Sequence, residues 1–364
     1  MRLRFAVSLF ALLVCCGYAH ADIIIGVAGP MTGQYQIFGQ QMKNGAQAAI
    51  DEINAKGGIS GELLSLNVGD DGCDNRKSED VAKGFVSIGA SVVIGHFCSN
   101  SALVGAKIYE AANIPMISPD ASLPLFAEGA GWNVVRIASR DDAQADMAAL
   151  RINQKAPEAI VAVIDDGSSA GKALANRFTA TYGKASTAIT IKLDTKDFSS
   201  LIADIKLHSV NTIFLACIAS DAGNIAAALE ANGLKLKIYG TDSLLVDQFW
   251  ANANEAGEDT RATFAIDPQS APQAKLAIES LKIAGFTADG ATLPSYAAVQ
   301  LYAAAAEQTG AHNGKGIAEY LRSGKTSETV LGPLAFDAKG EVQPPRFVWY
   351  KWSNGAFSVD ASNN

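Results

Sequence analysis

Positive charge is scarce in this sequence: 29 lysines and arginines stand against 37 aspartates and glutamates. That balance leaves no basic face for a phosphate backbone and excludes sequence-independent binding of nucleic acid. Histidine is scarcer still, at four residues, and His96, His208 and His312 fall in unrelated segments. No zinc-type cluster follows from such spacing. There is no G-x-x-x-x-G-K-[ST] phosphate loop and no G-x-S-x-G elbow. Gly26-Val27-Ala28-Gly29-Pro30 follows an apolar run but lacks G-x-G-x-x-G spacing, and Pro30 removes an amide that would cradle a pyrophosphate. No cofactor and no metal are expected. Acidic doublets such as Asp70-Asp71, Asp141-Asp142 and Asp165-Asp166 are ordinary at strand ends and helix starts, so no catalytic set emerges and the chain reads as a non-enzyme.

Long apolar runs are missing except at the beginning. Arg2 and Arg4 precede an uncharged run from Phe5 to Gly17, and Ala19-His20-Ala21 has the small-x-small form of a signal-peptidase site. The run is shorter than the roughly 20 residues that span a bilayer. A cleaved leader over residues 1–21 and export to the periplasm are therefore expected. Cys15 and Cys16 raise a lipoprotein alternative, although Val14 stands where such processing wants a small residue. Without Arg2 and Arg4 the mature chain has 27 basic and 37 acidic residues, a formal charge of −10 and a soluble surface. Its length suits two domains.

Three cysteines remain beyond the leader. Cys73 lies in the polar turn Asp70-Asp71-Gly72-Cys73-Asp74-Asn75, and Cys98 follows the apolar run Val92 to Gly95. In an oxidising compartment these two are expected to pair. Cys217, inside the apolar run Thr212 to Ala219, reads as a buried free thiol. Pairing also removes Cys98 from any nucleophilic or metal role beside His96.

Short β-rich runs alternate with helical stretches. Strands are predicted at Ile23–Ala28, Leu63–Val68, Ser91–Ile94 and Pro115–Ser118, with helices at 39–55, 77–87 and 103–112 between them. A second series holds strands at 160–164, 188–193, 212–218 and 237–240 and helices at 171–182, 198–207 and 223–232. This is the βαβ alternation of two α/β units, each a parallel sheet covered by helices. Ligands of such sheets bind outside the carboxyl ends of the strands. The loops at 29–38, 96–101, 119–124, 165–170, 219–223 and 241–244 are thus the candidate site.

Four segments carry a resemblance: Asp51-Glu52-Ile53-Asn54-Ala55-Lys56-Gly57-Gly58-Ile59, Asp70-Asp71-Gly72-Cys73-Asp74, Val93-Ile94-Gly95-His96-Phe97-Cys98-Ser99 and Leu331-Gly332-Pro333-Leu334-Ala335-Phe336-Asp337. In this order and spacing the chain resembles the leucine/isoleucine/valine-binding protein family, the periplasmic receptors of branched-chain amino acid ABC transporters. That resemblance implies a type I periplasmic binding fold: two Rossmann-like lobes joined by three hinge crossovers near residues 140, 267 and 330. Lobe I then comprises 22–139 and 268–330, and lobe II 140–267 and 331–364. The lobes close over a ligand, and the partner is a membrane permease. The family also has the Cys73–Cys98 pair. A monomer is expected.

Carried over position by position, the resemblance puts Ser99 and Ser122 on a ligand carboxylate and the Asp120 carbonyl and Asp242 carboxylate on a ligand ammonium. Phe38 and Phe97 would line the side-chain pocket. Taken alone, Ser99 and Ser122 read equally well as helix-capping hydroxyls. Ala170 and Ile218 stand where the family usually has tyrosine, and Asp120 where it usually has a small residue. The Asp120 side chain either reaches the pocket or caps the next helix. These departures imply an amino acid bulkier than valine or with an extra polar group. A receptor for another small carboxylate or amide, such as an aromatic acid, is the alternative within binding. A sensory partner that presents ligand to a membrane kinase is another.

Overall fold

A computed structural model describes residues 23–312 and 314–363. The leader, with Arg2, Arg4, Cys15, Cys16 and Ala19-His20-Ala21, lies outside the described residues. The chain enters on β1 (Ile23–Gly29), an apolar run buried along nearly its whole length, as a strand covered on both faces must be. The helix α1 (Gln36–Ala55) follows. Its buried residues Met42, Gly45, Ala46, Ala49 and Ile50 recur at helical spacing along one face. The helix ends at Lys56, before Gly57 and Gly58, which both have positive φ.

The alternation continues through β2 (Leu64–Asp70), α2 (Asn75–Ser87), β3 (Val92–Gly95), α3 (Ser99–Ala111), β4 (Met116–Ser118), α4 (Pro124–Gly129) and β5 (Val134–Arg136). At three residues, β5 is too short for a pattern of its own to announce it. The second unit runs through α5 (Ala143–Lys155), β6 (Val161–Asp165), α6 (Ser169–Tyr182), β7 (Ser186–Thr190), α7 (Ser199–Leu207), β8 (Thr212–Ala216), α8 (Ala219–Ala231), β9 (Lys237–Gly240), α9 (Asp247–Ala253) and β10 (Arg261–Ala265). Here β7 lies two residues earlier than its apolar pattern suggests, and α8 begins at Ala219 rather than Gly223. The chain then forms α10 (Lys275–Ile283), α11 (Thr292–Thr309), α12 (Lys315–Leu321), β11 (Ser327–Thr329), β12 (Gly332–Phe336), β13 (Val342–Gln343), β14 (Phe347–Ser353) and β15 (Ala356–Val359).

The first sheet is parallel, in the order β2-β1-β3-β4-β5. The second repeats that order as β7-β6-β8-β9-β10 and adds β14 and β15 antiparallel at its edge. Alternate residues of each strand point to opposite faces. Val27, Ile94 and Ile117 join one core with Met42, Tyr296 and Leu301, while Val93 and Met116 join Phe85 and Phe126 on the other side. The second sheet divides likewise, Ile164 and Leu215 packing with Phe249 and Trp352, Val163 and Phe214 with Phe178. Helices α10 and α11 return the chain to the first core. There a Cβ on Gly45 would stand 1.9 Å from the Thr292 carbonyl oxygen, so α1 and α11 approach this closely only through glycine.

The chain therefore passes between the two cores three times: after β5, after β10, and between β13 and β14. From sequence, residues 331–364 belong with the second unit. In the structure Leu331, Leu334, Phe336 and Val342 pack in the first core, and the second sheet is rejoined only at β14. Among the described residues no helix is long and apolar enough to cross a membrane.

Candidate functional site

Strand order reverses once in each sheet, between β1 and β3 and between β6 and β8. Crevices outside the carboxyl ends of strands at such points receive ligands in open α/β sheets. The loops there are those after β1 and β3 in the first unit and after β6 and β8 in the second, with β4 and β9 beside them.

The first wall is locked from beneath. Cys73 and Cys98 form a disulfide with Cα atoms 5.5 Å apart, closing a separation of 25 residues. Next to it, buried His96 Nδ1 lies 2.6 Å from Asp71 Oδ2, and His96 Nε2 lies 3.2 Å from the Tyr109 hydroxyl. A Cβ on Gly105 would stand 2.4 Å from His96 Nε2, so this glycine makes the room for the ring. His96 is thus a structural residue. Burial, with the charge of Asp71, also pushes the Tyr109 phenol well above its usual range. Cys98, held by the disulfide, is the residue immediately before α3, and Ser99 is the first of that helix. Cys98, at the N-cap position, makes no side-chain hydrogen bond to the first-turn amides of α3.

Ser99 Oγ accepts the Leu123 N–H at 3.3 Å, joining the loop after β3 to the loop after β4. That second loop is pinned by Arg136, which is 1% exposed. Its Nη1 donates to the carbonyls of Ala121 (3.0 Å) and Leu123 (3.1 Å), and its Nη2 donates to Glu341 at 2.6 Å. Ser122 in the same loop donates its hydroxyl to Asp141 Oδ2 at 3.0 Å and accepts the Asp141 N–H at 3.1 Å. Phe38 and Phe97 stack with centroids 4.5 Å apart. Asp120 Oδ2 is covered and has no hydrogen-bond partner, and burial alone pushes this carboxyl up to about 7. No side chain caps the following helix, α4.

The second wall is a hollow of about 310 Å³ bounded by Asp141, Ser168, Ala170, Ile218, Asp242 and neighbouring strand ends. Asp166 organises its floor: Oδ1 accepts the Ser168 N–H at 3.0 Å and Oδ2 accepts the Ile218 N–H at 3.1 Å. Asp165 is similarly occupied by the Gly167 N–H and the Thr190 hydroxyl, both at 2.8 Å, so this acidic doublet is structural. Asp242 is exposed, but its backbone is fixed. Its N–H donates to Gln144 Oε1 at 3.0 Å, an oxygen that also accepts the Thr263 hydroxyl at 2.8 Å. Two residues on, the Leu244 carbonyl accepts Trp352 Nε1 at 2.8 Å. Burial raises the Asp141 carboxyl above its usual range; the Ser122 hydrogen bond opposes this and the charge of Asp242 adds to it. Cys217 is a buried free thiol, and burial with the charges of Asp166, Asp221 and Asp165 pushes it well above its usual range, where it is a poor nucleophile.

Ala170, Ile218 and Asp242 thus share one hollow, while Phe38 stacks on Phe97 and Ser99 is linked to the Ser122 loop. A larger groove of about 770 Å³, with Gln47, Asp51, Leu276 and Phe286 among its walls, is formed by helix faces and β11 rather than strand-end loops. Sequence reasoning set Asp141 aside as part of an ordinary acidic doublet and did not single out Gln144 or Arg136. Their partners are remote in the chain, and the one local signal was their closeness to strand ends and to the first crossover. Among the described residues no three His, Cys, Asp or Glu side chains are grouped to hold a metal ion.

A family model described as periplasmic binding protein matches residues 22–355. A protein of Brucella suis named Leu/Ile/Val-binding protein homolog 1 is 35% identical over 354 residues, covering 96% of this chain and 95% of that one. Among solved structures, an ABC transporter substrate-binding protein of Desulfitobacterium hafniense in complex with Leu superposes with a TM-score of 0.68 at 24% identity, covering 93% of this chain and all of that one. A solute binding protein of R. palustris in complex with 4-hydroxybenzoate superposes with a TM-score of 0.61 at 20% identity, covering 93% and 96%. With the doubled strand order and the paired strand-end loops, these matches establish that the chain belongs to the periplasmic binding protein family, whose type I fold it has.

Proposed function

We propose that this chain is a periplasmic substrate-binding protein that captures an amino acid between two lobes and delivers it to the permease of an ABC transporter. The observation that carries this reading is the opposite polarity of the two walls. Ser99 and the uncapped start of α3 suit a carboxylate, and Asp242 suits an ammonium. Lobe I comprises 23–136 and 272–343; lobe II comprises 143–265 and 347–363. The third crossover accordingly lies at 344–346 rather than near residue 330, because β12 and β13 belong with the first core. Closure over the ligand is a hinge motion at the three crossovers. The chain acts as a monomer, binds ligand without changing it, and reaches the periplasm through its leader.

Ala170 and Ile218 leave the second wall open where tyrosines would fill it, which favours a side chain larger than valine or one with an added polar group. Titration calorimetry against the twenty standard L-amino acids tests this. Binding of at least one of them with the ligand recovered unchanged is the expected result; binding of aromatic acids alone would overturn it. The Phe38–Phe97 stack is the observation that favours that second reading, a receptor for an aromatic acid. Asp242 separates the two. Asp242→Ala cripples capture of an amino acid and spares a ligand that has no ammonium.

A further inference from the structure

We infer that Ile37 and Leu123 of lobe I and Leu193 and Val246 of lobe II are two halves of an apolar rim that bury each other when the lobes close. The inference rests on the hinge closure proposed above and adds to it a contact that the protein makes with itself. All four residues are between 44 and 58% exposed. Single exposed apolar residues are ordinary on a protein surface, so placement decides. Ile37 stands in the first turn of α1, after β1, and Leu123 in the loop after β4. Leu193 follows β7, and Val246 follows the turn after β9. Each therefore lies at the carboxyl end of its parallel sheet.

The crossovers make these two ends face each other. Segment 137–142 continues β5 from its carboxyl end and enters the second unit on α5, which runs back toward the start of β6. Segment 344–346 leaves lobe I beside it, where Glu341 bridges Arg136. At the second sheet β10 ends at Ala265, opposite Phe347 at the start of antiparallel β14, so segments 266–271 and 344–346 also attach at the carboxyl end. Arg346 ties the three together: its N–H donates to Ser139 Oγ at 2.6 Å, and its carbonyl accepts the Ile266 N–H at 3.0 Å. The hinge thus stands beside β5 and β10, and strand order sets what meets across the cleft. Leu123 and Val246, on the neighbouring strands β4 and β9, meet near the hinge; Ile37 and Leu193, beyond β1 and β7, meet at the mouth. The side chains cannot fold away, because each backbone is braced. The Leu123 N–H and carbonyl are held by Ser99 and Arg136, and the Val246 carbonyl accepts the Phe249 N–H at 3.0 Å. Bonds of 3.1 Å from Thr195 to Lys192 and 3.3 Å from Asp194 to Asp221 bracket Leu193, and bonds from Gln36 to Gly33 and Phe38 to Tyr35 bracket Ile37. Covering such surface is favourable, and the tether keeps the cover at high effective concentration.

The first test needs no ligand. On the full mature chain at high dilution, the matched pairs Leu123→Cys with Val246→Cys and Ile37→Cys with Leu193→Cys are oxidised beside the crossed pair Leu123→Cys with Leu193→Cys. The matched pairs are expected to form interlobe disulfides roughly tenfold faster than the crossed pair. Equal rates, or no cross-link in the matched pairs, would overturn the inference. Calorimetry with L-leucine and L-phenylalanine then reads the energy. Leu123→Ser with Val246→Ser is expected to weaken both ligands by a similar factor, roughly 5–30-fold, with a less negative heat-capacity change and an unfolding midpoint near wild type. Affinities and a heat-capacity change equal to wild type would overturn the inference, assign the rim to an outside partner and leave the amino-acid reading standing. Should neither amino acid bind the wild-type protein, the cross-linking rates alone decide the rim.

Discussion

In the first unit the strand-end loops carry Ser99, Ser122 and the covered, unpartnered Asp120; in the second, built on the same strand order, they carry Asp166, held by backbone amides, and the exposed Asp242. The backbone supplies the same crevice twice, and the polarity of each side comes from side chains at a few loop positions. The supports differ as well. A disulfide, a buried Asp71–His96–Tyr109 chain and Arg136 hold the first wall. Longer-range bonds from Gln144 and Trp352 to the turn at 242–244 hold the second. The first wall is thus held by side chains packed beneath it, and the turn that carries Asp242 through its backbone.

Breaking the first wall should have the largest effect. Arg136→Met leaves the half-buried Glu341 without its partner and two loop carbonyls unsatisfied, at a cost of about 3 kcal/mol. Urea unfolding measures it, and a loss below about 1 kcal/mol would show that the guanidinium does not hold the loop. Removing the disulfide with Cys73→Ser and Cys98→Ser should cost about 3 kcal/mol on the chain-entropy model, read from the same unfolding curves. On the second wall, Asp242→Ala should weaken amino-acid binding by roughly 10–100-fold while leaving the unfolding midpoint near wild type, since the side chain is exposed.

A smaller, pH-dependent effect belongs to Asp120. The folded carboxyl keeps its proton up to about 7, while the unfolded one loses it near the ordinary 3.8. Between these values the folded state binds more protons, so stability falls as pH rises and levels off once both forms are ionised. Asp120→Asn removes the ionised form. It should be more stable than wild type above about pH 7, by on the order of 1 kcal/mol, and little different below about pH 4. Thermal melts at the two pH values decide it; a gain that does not vary with pH would exclude the carboxyl as its cause.

Much of this was legible in the chain itself. Apolar runs of strand length between helix-patterned segments are local signals, and they gave the two parallel sheets and most element positions. The Cys73–Cys98 pair followed from compartment and count. The extent of the segment through β12 and β13 was not legible, because Leu334 and Phe336 are apolar and would suit either core. Nor was the commitment of Ser122 to Asp141, or the hold of Gln144 on Asp242. These bonds cross 19 and 98 residues of sequence, and periodicity carries no information over such distances. The departures at Ala170 and Ile218 were visible as residues, but only the structure puts them in one hollow with Asp242.

The central claim is a direction: carboxylate toward the first unit, ammonium toward the second. A co-crystal of the protein with the tightest-binding amino acid tests it most directly. The expected density has the ligand carboxylate against Ser99 and the first turn of α3, and the ammonium within hydrogen-bond distance of Asp242. A ligand bound the other way round, or one whose ammonium does not reach Asp242, would contradict the account.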